Sequence, residues 1–175
     1  AAVWAEENTR ESILAAMQRR ETYATSGPRI SLQFFAVPSS DELEIPEADL
    51  YAQARANGVP MGGELRASDD SPVFLVRSSK DPKGANLDRI QIVKGWLDSK
   101  GEQQEKVFNV AWSGDRALGD NGKLPPVGDT VDRANGKVAN TIGAPQLSAS
   151  WQDPEYQADQ NAFYYVRVLQ IPTAR

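Results

Sequence analysis

The chain has no histidine and no cysteine among its 175 residues. Imidazole is the commonest metal ligand and the usual general base near neutral pH. A Ser-His-Asp triad and an all-histidine zinc site are therefore both excluded. Without thiols there is no disulfide, no thiolate metal site and no cysteine nucleophile. Positive charge is in deficit as well: 19 Lys and Arg face 24 Asp and Glu, a formal net charge of −5. That balance does not seek phosphate, and no nucleic-acid partner is expected. Long apolar runs are missing, since nothing approaches the roughly 18 consecutive apolar residues of a membrane-crossing helix. What remains is a length at which roughly 70% of the unfolded surface can be buried, so a core can form without covalent staples.

The chain begins Ala1-Ala2-Val3-Trp4-Ala5, with no initiator Met and no basic stretch leading into an apolar one. It stops at Ile171-Pro172-Thr173-Ala174-Arg175, just past an apolar strand-like run. Both ends read as cut, and the chain is expected to be a fragment of a longer one.

Periodicity predicts a helix first. Asn8 is the expected cap, with Glu11 three positions on in the capping-box arrangement, and Ile13, Leu14 and Met17 recur at helical spacing. The helix is expected to end near Glu21, before Gly27-Pro28. Arg29 to Val37 alternates as a strand, Ser39 to Glu44 is a polar connection, and Pro46 opens a short second helix over 47–56. Gly58 is expected as its left-handed stop, and Gly62-Gly63 as a tight turn or a close backbone approach. The pattern then becomes β: 73–76, 87–96, 106–112, 146–151 and 163–171. The segment from Ile90 to Trp112 is the strongest hairpin, turning at Ser99-Lys100-Gly101, with Val107, Asn109 and Ala111 on one face and Phe108, Val110 and Trp112 on the other. Residues 113–143, rich in Gly, Asp, Asn and Pro, read as a long ordered loop with short strands near 130–131 and 138–142. Six or so short strands separated by turns predict a mainly β chain: an antiparallel β-sandwich, immunoglobulin/fibronectin-like, with an N-terminal helix and one further short helix.

Carboxylates are the strongest chemistry left. Glu6-Glu7 precede the first helix, where negative charge is favourable in itself. Asp115, Asp120, Asn121, Asp129 and Asp132 are candidate calcium ligands, because oxygen donors on loops suit that ion. The EF-hand spacing is absent, and the same residues serve turn geometry. Trp96, Trp112 and Trp151, with Tyr164-Tyr165, are candidates for stacking on a sugar, against the commoner use of aromatic strand residues in cores. Arg29 and Arg89 offer cations for an anion or simply snorkel to the surface. Ser12, Thr22, Thr25 and Ser26 have no visible activating base. No catalytic or cofactor-binding residue is assigned.

Several stretches are family wording. They are Val3-Trp4-Ala5-Glu6-Glu7-Asn8-Thr9-Arg10-Glu11-Ser12-Ile13, the segment from Arg19 to Ile30, Gly58-Val59-Pro60-Met61-Gly62-Gly63, and Lys80-Asp81-Pro82-Lys83-Gly84-Ala85-Asn86-Leu87-Asp88-Arg89-Ile90 continuing to Trp96. Val110-Ala111-Trp112-Ser113-Gly114-Asp115-Arg116 and the segment from Phe163 to Thr173 complete the set. Nearly end to end, the chain resembles a large bacterial family of unknown function related to the PHP (polymerase and histidinol phosphatase) metallohydrolases. The residues from Ala36 to Ile45 depart from the aromatic, Gly-rich wording of that family.

The resemblance implies an exported, periplasmic or secreted protein whose front portion is a distorted barrel holding a divalent metal. Residues 1–29 would be the closing helix and strand of that barrel, and residues 30–175 a β-rich C-terminal domain. No metal ligand carries over to this chain, and no cofactor is expected in it. The expected function is a non-catalytic accessory domain of a phosphoester or related ester hydrolase, packing on the upstream barrel domain. The fragment itself is expected to be inactive, and dimerisation through the first helix and last strand is a further expectation. The alternative is a carbohydrate- or calcium-binding β-sandwich module.

Overall fold

A computed structural model describes residues 1–37, 47–66 and 68–174. The expected polar connection Ser39 to Glu44 and the helix-opening Pro46 lie outside the described residues. The described chain is mainly β with two helices, in keeping with an antiparallel β-sandwich. The strands are β1 (Ala2–Val3), β2 (Thr22–Tyr23), β3 (Ser31–Val37), β4 (Val59–Pro60), β5 (Val73–Ser79), β6 (Leu87–Leu97), β7 (Gln103–Trp112), β8 (Val131–Asp132), β9 (Lys137–Val138), β10 (Gln146–Gln152) and β11 (Ala162–Gln170). The helices are α1 (Arg10–Gln18) and α2 (Glu47–Asn57). Strands associate in the orders β1-β2, β10-β5-β3-β4, β11-β6-β7 and β8-β9. The chain divides into two compact units. The first holds residues 1–27, 32–76 and 150–161, and the second holds 28–31, 77–149 and 162–175.

In the first unit, α1 starts one residue later than the sequence predicts. Thr9, not Asn8, is the cap: it is extended (φ −117°, ψ 156°) and its hydroxyl accepts the Ser12 N–H. The helix also stops earlier, at Gln18. Arg20 takes the left-handed conformation (φ 63°), while its N–H reaches the Met17 carbonyl and that of Glu21 reaches Ala16. This is a Schellman closure with an arginine where glycine is usual. Gly62 then lies so close to the Arg20 carbonyl that no side chain fits there, which is the close approach expected of the Gly62-Gly63 turn.

Gly58 corrects the reading of the second helix. It follows α2 directly, yet its φ is not positive. Its small size is needed instead, since a Cβ would stand 2.6 Å from the Ala54 carbonyl and 2.9 Å from the Val37 side chain. Phe35, Ala54, Val73 and Leu75 form a buried cluster, joined by Val37 and Tyr51, whose hydroxyl donates to the Val76 carbonyl at 2.6 Å. Phe34 stacks on Phe74 (5.7 Å, 14°), and Phe74 meets Trp151 at 5.8 Å. Phe34 and Phe35 are both buried, so at these positions β3 is covered on both faces and its alternation is lost.

In the second unit, β6 lies between β11 and β7 with antiparallel ladders on both sides. Its apolar residues Leu87, Ile90, Ile92 and Val93 are fully buried. The expected hairpin is present. Its turn is fixed by Asp98, whose carboxylate accepts the N–H groups of Lys100 and Glu102, and by Gly101 at φ 79°. One expectation about its faces fails. Ile90 pairs with Ala111 but Gln91 pairs with Asn109, so Val110 is an extra residue on β7. Side chains alternate with a period of two, so a one-residue bulge moves everything beyond it to the other face. Trp112 therefore pairs with Arg89 and joins the face of Val107 and Asn109, while Ala111 leaves it.

Candidate functional site

Two acids of the loop, Asp129 and Asp132, are engaged within the loop itself. Asp129 accepts the Val131 N–H (2.9 Å) and the Arg133 guanidinium. Asp132 accepts from the Asn135 side-chain amide (2.7 Å) and from the N–H groups of Ala134 and Asn135. These bonds hold both carboxyls below the usual carboxylate range, led by the Val131 N–H at Asp129 and the Asn135 side chain at Asp132. Asn121 accepts the Lys123 N–H (3.0 Å), and Asp115 and Asp120 are exposed. Among the described residues, no three His, Cys, Asp or Glu side chains are grouped so as to hold a metal ion.

The stretches at residues 80–90 and 112–116 resolve into hydrogen-bonded staples. The Lys80 ammonium reaches the carbonyls of Asp81, Pro82 and Gly84 (3.3, 3.4 and 3.0 Å). Asp81 accepts the N–H groups of Arg29 (2.7 Å) and Lys83 (2.9 Å), and these bonds, Arg29 first, depress its pKa. Asn86, buried, donates to the carbonyls of Asn140 and Ile142. Arg116 spreads its guanidinium over the Ser113 carbonyl (3.0 Å), the Pro125 carbonyl (2.9 Å) and the buried Asp88 carboxylate (2.7 Å). Arg89 pairs with the other Asp88 oxygen at 3.0 Å, so it is neither a free anion hook nor a snorkelling surface residue. Arg29 is exposed.

The three candidate tryptophans do not form one platform. Trp96 and Trp112 lie at opposite ends of the β6–β7 ladder and, because of the bulge, on opposite faces. Seven residue steps along β6 separate their rows, roughly 23 Å. The Trp112 indole donates to the Arg116 carbonyl (2.6 Å), and Trp151 belongs to the other unit, against Phe74. Trp96 instead borders a feature absent from the sequence expectations. Lys94 is only 2% exposed, with its ammonium 5.3 Å from the Trp96 ring and 6.0 Å from Tyr164. Cation–π attraction accounts for part of its burial.

Among the described residues, two open surfaces stand out. In the first unit, a cleft of about 200 Å³ is lined by Trp4, Arg19, Glu21, Phe34, Arg55 and Met61, among others. Glu21 already binds Arg19 (2.6 Å), a bond that raises the guanidinium's pKa further. In the second unit, the face of the three-stranded sheet opposite Lys94 carries Phe163 and Tyr165, 62% and 39% exposed, with ring centroids 6.4 Å apart and planes 15° from parallel. The alternation of β11 already placed these two on one side. What it lacked was the partner strand, because only the pairing of Phe163 with Gly95 shows what the ring rests on.

A mainly β module with a hydrogen-bonded loop system and an open aromatic sheet face is the class that these features define. The chain belongs to the DUF3604 family, described as a protein of unknown function, which it matches over residues 1–175. No curated protein and no solved structure matches it. No described helix is long and apolar enough to cross a membrane.

Proposed function

We propose that this chain is a non-catalytic accessory domain of a longer, exported, PHP-like metal-dependent hydrolase, and that α1 packs on the catalytic barrel of that protein. The observation that carries the reading is the split character of α1. Ala16 is fully buried, whereas Leu14 and Met17, one turn apart, are 53% and 55% exposed. Two large apolar side chains turned to solvent on one helix suit a surface that meets a further partner. The residue inventory supports the same reading, since the chain has no His or Cys and two of its loop acids, Asp129 and Asp132, are engaged with backbone amides. The parent chemistry would be attack of metal-activated water on a phosphoester or related ester. The divalent metal would be held by residues outside this chain, and a periplasmic or secreted location comes with the same resemblance.

The test is an assay of the purified chain on p-nitrophenyl phosphate and its diester with Mn²⁺ or Zn²⁺. Release of nitrophenol should not exceed the metal-only blank. Robust, metal-dependent turnover would overturn the reading.

A further inference from the structure

We propose that the open face of the β11-β6-β7 sheet binds a neutral polysaccharide chain, with Phe163 and Tyr165 as the stacking platform. The proposal stands independently of the accessory-domain reading.

The geometry of Phe163 comes first. A methyl built on Gly95 would overlap Cζ of the ring and stand 2.6 and 2.9 Å from its two Cε atoms. Near-equal distances to three ring-end atoms arise when the ring lies flat over the glycine. An in-plane approach past Cζ would leave both Cε atoms much farther away. One face of Phe163 thus covers the sheet and the other faces solvent, in line with its 62% exposure. Tyr165 is two residues along the same strand, paired with Val93. The near-parallel planes and the 6.4 Å separation match one two-residue step of a strand, about 6.8 Å. The two rings therefore lie side by side as a flat pavement rather than as a face-to-face stack.

The neighbours are mixed: Val107, in the Tyr165 row, and Leu97, two residues from Gly95 on the same face, are exposed apolar side chains, and the remainder are polar. Glu105 shares the Gly95 row and is exposed. One row past Tyr165, Gln91 donates to Asn109 (3.0 Å), and Arg167 reaches the Tyr165 hydroxyl (3.3 Å). A flat π surface carries negative charge on its face and attracts the weakly positive C–H groups of a pyranose ring. Amide, guanidinium and carboxylate groups beside it supply both donors and acceptors for sugar hydroxyls. The charge on this face is one exposed acid and one exposed base, Glu105 and Arg167, within a chain of net charge −5. That suits a neutral polymer and disfavours a polyanion. A second copy of the chain is the competing occupant, because Leu97 and Val107 extend the apolar surface beside the rings, and its signature is a dimer that depends on Tyr165.

Affinity electrophoresis of the whole chain through gels containing hydroxyethylcellulose, soluble xylan, galactomannan or laminarin tests this, with dextran sulfate as the charged control. Retardation is expected in at least one neutral gel and not in dextran sulfate. Tyr165→Ala should weaken it about tenfold, as should Phe163→Ala, each ring adding stacking to its buried area. Phe163→Ala also uncovers Gly95, so circular dichroism and the melting temperature are measured alongside; Tyr165→Ala and Arg167→Ala leave that contact intact and carry the result if Phe163→Ala misfolds. Migration unaltered in every neutral gel would overturn the proposal. So would retardation that survives Tyr165→Ala, binding to dextran sulfate alone, or a dimer in solution that Tyr165→Ala dissociates.

Discussion

At the scale of single residues, several aspartates of this chain, among them Asp81, Asp98, Asp129 and Asp132, act through backbone amides. Asp98 shows the consequence most plainly. Its carboxylate accepts N–H groups from Glu102 and Lys100 (both 2.9 Å) and the Gln104 side chain (3.0 Å), and these bonds, Glu102 first, lower its pKa. The unfolded value is about 3.9. A carboxyl whose folded pKa lies lower contributes stability that is present above the unfolded value and lost as pH falls through the folded one. Asp98→Asn should therefore lower the melting temperature near neutral pH. The gap from wild type should shrink steadily below about pH 4, where the unfolded carboxyl takes up its proton while the native one still holds its charge. A gap that stays constant down to about pH 2 would show that these bonds do not depend on the charge. The sequence placed turns at Asp-rich positions correctly because Asp and Asn bond their own neighbours, a local preference. It could not place Arg116 on Asp88, twenty-eight positions away, or reveal that Lys94 is buried between rings.

Elements are where the sequence was legible in type and illegible in phase. The strands at 31–37, 87–97, 103–112 and 162–170 fall within a few residues of their expected limits, since periodicity reports them directly. The bulge at Val110 leaves no mark in the alternation, because it arises only when β7 is laid against β6. Trp96 and Trp112 lie on opposite faces for that reason, while Gly95 acquires its meaning from β11. Glycines offer a test at this scale. Gly143 has φ 80°, and a Cβ there would come within 2.7 Å of Asn86, 2.8 Å of Ile171 and 2.9 Å of the Leu87 carbonyl. Gly95 meets only the movable end of a surface ring. Gly143→Ala should thus cost about 3 kcal/mol or more, combining a left-handed strain with overpacking against backbone. Gly95→Ala should cost about 1 kcal/mol and lift Phe163, visible as altered near-ultraviolet dichroism. Urea denaturation orders the two, and equal costs would contradict the contacts described.

For the molecule as a whole, absences in composition set the terms. No imidazole and no thiol leave oxygen donors as the main metal ligands, and the described oxygen donors are dispersed or engaged. The broad class, mainly β with two helices among the described residues, was legible because strand and turn signals are local. The division into two units was not, because its boundaries fall within β3, β5 and β10, where the sequence runs on without a break. The central claim is that this chain supplies a scaffold and a binding face, and that the catalytic atoms lie elsewhere. Titration of the ¹⁵N-labelled chain with substoichiometric Mn²⁺, followed by amide NMR, tests it most directly, because a paramagnetic ion erases signals around any site that holds it. The account predicts weak, scattered broadening near exposed acids such as Asp115 and Asp120. Complete loss of one compact set of resonances at a tenth of an equivalent of metal, roughly the level at which only a tight site is occupied, would contradict it.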